Sequence, residues 1–396
     1  MGNLLQRHRP LRSLTVAFAL WKLLLLLVLA ACPGPGYDTS TTLLAGIGSL
    51  RNLVRWDPVY FVHIAEQGYV FEQEWAFGYP RLQSDSPSEI ALVGVALSHL
   101  SHYLSVLVLY GLSVTVLGRD TPAKERVCLL AAALHIITPA GAFLSAPYGE
   151  PLFALLNFAG YYVYSSSTGP RRVGRLLGAA ALFAVATTVR SNGILSGFLF
   201  ASDAVRELHA LVVHGCSVAA LARLLLIVIG GCLVALGFVG PQLLAYRDYC
   251  LTDTPRPWCQ QALPSIYAWV QEEYWNVGFL RYWTVSNIPL FLLATPMLVI
   301  LALSARWGVS TSSPISRRQP WLLAQLAIPQ GLLALLALTS YHVQTINRIS
   351  SGYPVWYWYL AHQAVHGRRG ATPTIRLITV YALVQAGLYG SFLPPA

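Results

Sequence analysis

Charged residues are scarce in this chain of 396 residues, since Asp, Glu, Lys and Arg together make up only 11% of it. That excludes an ordinary soluble domain, in which about a quarter of the residues carry a charge. Lysine is nearly absent: Lys22 and Lys124 are the only two, and all other basic residues are arginines. The sequence also lacks a glycine-rich phosphate loop, a heptad run, an internal repeat and any Asn-x-Ser/Thr acceptor. A P-loop nucleotide site, a coiled coil and a repeat array are therefore excluded.

Apolar residues dominate instead, at 55% of the chain and a mean hydropathy of +0.55. These values are typical of an all-α polytopic membrane protein. Apolar runs of sufficient length predict about eleven transmembrane helices. The runs lie at residues 14–31, 90–116, 127–144, 151–164, 176–189, 194–204, 224–244, 288–303, 320–338, 353–364 and 375–392. The first run is either a signal peptide or a first span. Two short runs, 194–204 and 353–364, are either re-entrant segments or spans that extend by one further helical turn.

Basic residues fall mainly on one side of these predicted spans. With the N-terminus in the cytosol, most of the 26 basic residues lie in cytosolic segments, and most of the 16 acidic residues lie on the far side. This distribution obeys the positive-inside rule. It predicts a single integral-membrane domain over residues 1–396, with luminal or extracellular loops at 33–89 and 245–287. The formal charge of +10 therefore indicates membrane orientation and not a nucleic-acid partner.

The most polar stretch, residues 51–83, follows the first span. Asp57 and Pro58 are typical of a helix start, with Asp57 as N-cap and Pro58 at the first helical position. We expect that helix to run through Glu66 and to end at Gly68. Glu66 stands three residues from His63, within reach of its side chain. In the simplest alternative Asp57 only caps an interfacial helix, but charges beside a membrane span are costly and usually functional.

Other connections on the same predicted side also carry polar groups. Arg55 is expected to keep the Asp57 carboxylate ionised. Further groups are Tyr148 and Glu150 after the third span, Arg190 and Asn192 after the fifth, and Gln344 and Arg348 after the ninth. Singly, each has an ordinary explanation, such as a helix-dipole acid or a snorkelling arginine. Jointly, a carboxylate base and arginines beside lipid suit transfer of a group from a lipid-phosphate carrier.

Two cysteines lie close together in the predicted loop at 245–287. Cys250 and Cys259 flank a proline-rich turn on the non-cytosolic side, which favours a disulfide between them. The alternative is a pair of free thiols. No carboxylate cluster has obvious metal-ligand spacing, and we predict no metal site.

The motifs resemble those of the PIG-V mannosyltransferase family of GPI-anchor synthesis. The matching segments are RWDPVYF at 55–61, HIAEQGY at 63–69, SAPYGEP at 145–151, RSNG at 190–193, PWC at 257–259 and YPVWYWY at 353–359. The resemblance covers almost the whole chain, and its first motif is the most specific. The chain departs from the family pattern at two positions: serine is more usual at the position of Gly149, and alanine is more usual at the position of Val189.

The resemblance implies a GT-C glycosyltransferase of the endoplasmic reticulum membrane with a luminal active site. Its donor would be dolichyl-phosphate mannose, and its acceptor a mannosyl-glucosaminyl-phosphatidylinositol that receives a second, α-1,6-linked mannose. Fungal members of the family work with a small membrane subunit. No cofactor is required. The essential acidic residue of the family maps onto Asp57.

An inverting displacement follows from this resemblance, with Asp57 as general base to the acceptor 6-hydroxyl. Arg348, with Arg190 as second candidate, is assigned to the donor phosphate. The remaining predicted substrate-binding residues are Arg55, Trp56, Tyr60, His63, Glu66, Tyr148, Glu150, Asn192 and Gln344, with Glu66 as a candidate to orient His63. Alternatives are another dolichyl-phosphate-mannose-dependent GT-C mannosyltransferase, a polytopic lipid transporter and a non-catalytic scaffold subunit.

Overall fold

A computed structural model describes residues 9–33, 36–44, 46–76, 86–167, 172–310 and 320–393. Within these ranges the chain is helical and forms no β-strand. The α-helices are α1 Pro10–Ala31, α2 Asp57–Gln67, α3 Pro87–Leu117, α4 Pro122–Ile136, α5 Gly149–Ser165, α6 Arg172–Val189, α7 Phe198–His214, α8 Val218–Cys250, α9 Ile266–Glu273, α10 Ile288–Val309, α11 Pro320–Thr339, α12 Ile346–Ile349, α13 Val355–Val365 and α14 Ala371–Gly390. The C-terminal part of the polar stretch at 51–83 lies outside the described residues.

Each of the predicted apolar runs overlaps an α-helix, which confirms the all-α class. Six helical segments of the described chain are long and apolar enough to cross a membrane: Pro10–Ala31, Pro87–Leu117, Arg172–Val189, Val218–Cys250, Val285–Val309 and Trp321–Thr339. The run at 127–144 is not one helix, because α4 ends at Ile136 and Pro139 follows. Proline has no N–H to donate and disfavours a helical residue before it.

The helices pack as one bundle. α3 lies against α5, α5 against α6, and α6 against α8, while α10 packs on α11 and α13 on α4. α1 packs against α14, α4 and α3. It is therefore an integral part of the bundle. The α6–α8 contact depends on Gly237, where an added Cβ would lie 2.2 Å from the carbonyl oxygen of Ala184. Small residues at such crossings let two helix backbones approach closely.

The connection between α4 and α5 is irregular backbone buried inside the bundle. Such backbone is tolerated at membrane depth only where protein groups satisfy its polar atoms. Lys22 of α1 donates hydrogen bonds to Leu144 O, at 2.6 Å, and to Ser145 Oγ, at 2.8 Å. Gln385 of α14 accepts one from Ala142 N at 2.9 Å. Two helices distant in sequence thereby hold the segment that leads into α5 and its polar first turn.

Candidate functional site

Helix α2 begins at Asp57 itself, with Trp56 in the cap position at φ 60° and ψ −131°. The predicted N-cap role of Asp57 is therefore wrong. Its Oδ2 instead accepts a hydrogen bond from Arg348 Nη1 at 2.8 Å. The other end of the helix is confirmed, because Gly68 adopts φ 82° and donates its N–H to Ile64 O at 2.8 Å. The Asp57 carboxylate, which caps no helix N–H, thus pairs with a residue distant in the sequence.

Trp56 adopts its left-handed backbone because the residues before it are clamped. Arg55 is fully buried, donates to Asn52 Oδ1 at 3.0 Å and lies over the Phe392 ring at 4.8 Å. The Tyr389 hydroxyl also hydrogen-bonds the Arg55 carbonyl at 3.1 Å. The Arg55 guanidinium therefore points away from the α2 carboxylate. In the structure Arg348 of α12, and not Arg55, hydrogen-bonds this carboxylate.

Four charged side chains from four parts of the sequence form a continuous chain. Arg348 Nη1 lies 2.8 Å from Asp57 Oδ2, and its Nε lies 3.4 Å from Glu150 Oε1. The same Glu150 oxygen is 2.8 Å from Arg190 Nη1. The Glu150 side chain is 0% exposed, so it lies behind the two arginines. Burial disfavours the charged guanidinium, but the carboxylates of Asp57 and Glu150 outweigh it and raise the pKa of Arg348.

Aromatic rings fix the direction of Arg348. Its guanidinium lies 5.0 Å from the Phe143 ring and 5.5 Å from the Tyr148 ring, within cation–π distance. Tyr148 in turn meets the Phe61 ring of α2 edge-on at 5.6 Å. Tyr148 is thus a support for the arginine within the described site.

Two cavities meet at Asp57. The first, the arginine cavity, has a volume of about 270 Å³. Its lining residues are Asp57, Phe61, Gly149, Val189, Arg190, Ser191, Asn192, Tyr267, Gln271, Trp275, Val277, Tyr341, His342, Thr345, Arg348 and Ile349. Of the predicted site residues, Asp57, Arg190, Asn192 and Arg348 lie on this wall. Asn192 is held by the Tyr353 hydroxyl, which donates to its carbonyl at 2.9 Å.

The second, the aromatic cavity, has a volume of about 650 Å³. Its lining residues are Asp38, Ser40, Leu43, Leu44, Trp56, Asp57, Val59, Tyr60, His63, Phe71, Gln73, Glu74, Trp275 and Phe392. Asp57 and Trp275 belong to both cavities, so the carboxylate stands where the two spaces adjoin. Arg55, Glu66, Tyr148, Glu150 and Gln344 are not among the described residues that line either one.

His63 is partnered by Glu74 and not by the predicted Glu66. Its Nδ1 lies 2.5 Å from Glu74 Oε1. The side chain of Glu74 is 1% exposed and comes from the 3-10 helix that follows α2. In the part of the chain that the structure describes, no group of three or more His, Cys, Asp or Glu side chains is arranged to hold a metal ion.

A cap segment, residues 251–287, covers the site. A disulfide between Cys250, the last residue of α8, and Cys259 of the cap segment joins the two, with a Cα–Cα distance of 5.5 Å. Glu72 ties the segment to the loop after α2, because its carboxylate accepts from Arg256 at 2.7 and 3.1 Å and from Trp258 Nε1 at 2.8 Å. Tyr274 adds a fourth hydrogen bond at 3.1 Å.

The cap segment also reaches the rim of the arginine cavity. His342 contacts the Trp275 carbonyl at 2.7 Å, and the hydroxyls of Tyr267 and Ser191 are 2.8 Å apart. The predicted site residues did not include several lining residues, namely Tyr267, Gln271, Tyr341, His342, Thr345 and Glu74. Only the spacing of Tyr267 and Gln271, four residues apart on one helix face, offered a local signal.

Comparison with known proteins identifies the family. The model described as "Mannosyltransferase (PIG-V)" matches residues 40–396. The chain is 52% identical to GPI mannosyltransferase 2 of Aspergillus oryzae, over 100% of this chain and 98% of the relative. It is 44% identical to the Gibberella zeae protein of the same name, with 100% of both covered. It is 33% identical to GPI alpha-1,6-mannosyltransferase 2 of Cricetulus griseus, over 80% of this chain and 74% of the relative. No solved structure matches. The chain belongs to the PIG-V mannosyltransferase family.

Proposed function

We propose that the protein transfers the second, α-1,6-linked mannose from dolichyl-phosphate mannose to the GPI-anchor precursor. The transfer takes place at the luminal face of the endoplasmic reticulum membrane, on a GT-C fold of about eleven spans. The observation that carries the proposal is the meeting of a carboxylate, Asp57, with two arginines on one cavity wall. The names of the relatives and the family match support the reaction class.

The arginine cavity receives the phosphate of the donor. Arg190 and Arg348 both line it, and both are held by the buried Glu150 behind them. Guanidinium groups fixed in a partly closed space stabilise a phosphate leaving group, which gains negative charge as the sugar departs. Because the pair is positioned before the donor binds, little reorganisation is needed during transfer.

Asp57 acts as general base to the acceptor hydroxyl. As the first residue of α2, its carboxylate benefits from the positive end of the helix dipole. Its place between the two cavities lets it face an acceptor on one side and the donor on the other. A β-linked donor sugar and an α-linked product require one inversion, so a single attack suffices. Asp57 takes the hydroxyl proton as the bond to the anomeric carbon forms and the bond to phosphate breaks.

Mannose transfer in membranes that carry Asp57→Asn tests the proposal. Asparagine keeps the shape of the side chain but cannot accept the proton, so kcat should fall by about 10²- to 10⁴-fold. Asp248→Asn is the matched control, because that exposed carboxylate pairs with Arg247 outside both cavities. Wild-type rates for Asp57→Asn at equal expression would refute the role of the base. A wild-type protein that does not act on the one-mannose precursor would refute the proposed function.

A further inference from the structure

The imidazole of His63 is held on two sides in the aromatic cavity. Glu74 Oε1 lies 2.5 Å from its Nδ1, and the Phe71 ring stacks on it at 5.7 Å with an interplanar angle of 22°. The side chain of His63 is 30% exposed, whereas that of Glu74 is 1% exposed. A ring held in this way by a buried carboxylate presents its remaining edge to the cavity in a fixed orientation.

Hydrogen bonding to Glu74 determines which ring nitrogen carries the proton. Glu74 Oε2 already accepts the backbone N–H groups of Val70 and Phe71, each at 2.8 Å. A carboxylate in this position is an acceptor, so the Nδ1 of His63 is its donor. When the ring is neutral, this hydrogen bond leaves the lone pair on Nε2, which makes that atom a hydrogen-bond acceptor.

His63 lies on the wall of the same cavity as Asp57, six residues farther along α2. At a rise of 1.5 Å per residue the two side chains leave the helix about 9 Å apart along its axis. One hydrogen bond cannot cover that distance. His63 therefore contacts a part of the bound molecule beyond the hydroxyl that faces Asp57.

Charge distinguishes the molecules that the two cavities can bind. The described lining of the aromatic cavity contains the acids Asp38, Asp57 and Glu74 but no lysine or arginine. A phosphate is disfavoured there, and the two arginines of the other cavity attract it. Aromatic and polar side chains together, such as Trp56 and Tyr60, suit a hydroxyl-rich glycan with its apolar ring faces.

We infer that the aromatic cavity binds the acceptor glycan, that His63 Nε2 accepts a hydrogen bond from one of its hydroxyls, and that Glu74 is the positioning residue for His63. This inference rests on the proposed function and adds to it a specificity-determining pair outside the arginine cavity. Glu74 acts only through His63, because its own oxygens are occupied by the imidazole and by two backbone groups.

The variant Glu74→Gln tests the inference because it reverses which ring nitrogen of His63 donates a hydrogen bond and which accepts one. The glutamine oxygen still accepts the two backbone N–H groups, which turns its NH₂ group towards Nδ1. His63 must then accept at Nδ1 and carry its proton on Nε2, so it loses the acceptor that faces the cavity. We expect the KM for the acceptor to rise about tenfold, the cost of one good hydrogen bond, while the KM for dolichyl-phosphate mannose stays unchanged.

A second variant keeps the test valid if Glu74→Gln folds poorly. His63→Leu leaves Glu74 and its backbone bonds in place, and it should raise the acceptor KM to the same extent. Combining both changes should add nothing, because both remove the same contact. Glu273→Gln, at an exposed carboxylate outside both cavities, is the matched control and should leave both KM values unchanged.

The outcomes separate the inference from the proposed function. If wild type transfers mannose and His63→Leu leaves the acceptor KM unchanged, the inference is overturned. It is also overturned if either variant raises the donor KM as much as the acceptor KM. If wild type shows no transfer to the one-mannose precursor, the proposed function fails first.

Discussion

Replacing Glu150 with glutamine removes the buried carboxylate that pairs with the two arginines and keeps the shape of the side chain. The Glu150 oxygen lies 2.8 Å from Arg190 and 3.4 Å from Arg348. At an effective dielectric constant of about 20, such separations correspond to attractions of about 6 and 5 kcal/mol. Desolvation offsets much of this attraction. Removal of one partner from a buried pair costs about 3–5 kcal/mol.

The loss should appear in transfer as well as in stability. With glutamine at this place, Arg190 has no carboxylate partner in the charged chain described above, and its guanidinium is free to turn towards solvent or lipid headgroups. If about 3 kcal/mol of transition-state stabilisation is lost, kcat/KM for the donor falls about 100-fold at ~1.4 kcal/mol per factor of ten. The assay is mannose transfer at varied dolichyl-phosphate mannose, with expression of each variant measured by immunoblot.

Glu207→Gln is the matched control for this prediction. It also removes the carboxylate of an Arg–Glu pair, in which Arg223 Nε lies 3.2 Å from Glu207, but the side chains there are 44% and 18% exposed. A pair with this exposure contributes about 0–1 kcal/mol, so transfer should stay at the wild-type rate. If the Glu150→Gln protein folds and retains the wild-type donor KM and kcat, other contacts orient the arginines and the reasoning is refuted.

Two further predictions concern the cap segment. Replacing Cys250 and Cys259 together by serine should lower the thermal midpoint by several degrees, because a disulfide constrains the unfolded chain; an unchanged melting curve in detergent would contradict this. Burial acts to raise the pKa of Glu72, but hydrogen bonds from Arg256 and Trp258 outweigh it and lower the pKa. The stabilisation by Glu72 is therefore fully present above the unfolded value of about 4.3 and is lost as the pH falls through the lower folded value. Glu72→Gln should melt earlier than wild type at pH 7, and the difference should shrink in acid; a constant difference would count against this role.

Apolar run length predicted the helices because the membrane sets the length of each element. Every run overlaps an α-helix, but run length alone did not reveal interruptions such as the end of α4 at Ile136. The buried connection that follows is held by Lys22 and Gln385. Isolated polar residues in apolar runs gave no indication of which backbone groups they satisfy, because those partners lie more than 100 residues away in the chain.

The sequence predicted several of the residues that form the site, but only partly which of them contact one another. Asp57, Arg190 and Arg348 were proposed from the clustering of charges beside spans, and the structure places all three on the wall of one cavity. Helical spacing favoured Glu66 as the partner of His63, because residues three apart are neighbours on a helix. The observed partner comes from the next segment, and spacing within a helix carries no information about contacts between segments.

The strained backbone at Trp56 connects α14 to the position of Asp57. A non-glycine residue at φ 60° costs of the order of 1–3 kcal/mol and persists only where its surroundings enforce it. Here the enforcement comes from Tyr389, which hydrogen-bonds the carbonyls of Leu53 and Arg55, and from Phe392, which contacts the Trp56 ring edge-on at 5.2 Å. These contacts turn the chain sharply just before α2, so that Asp57 begins the helix instead of capping it and projects towards Arg348. The end of α14 is therefore part of the scaffold of the candidate site, although Asp57, the proposed base, lies more than 300 residues earlier in the sequence.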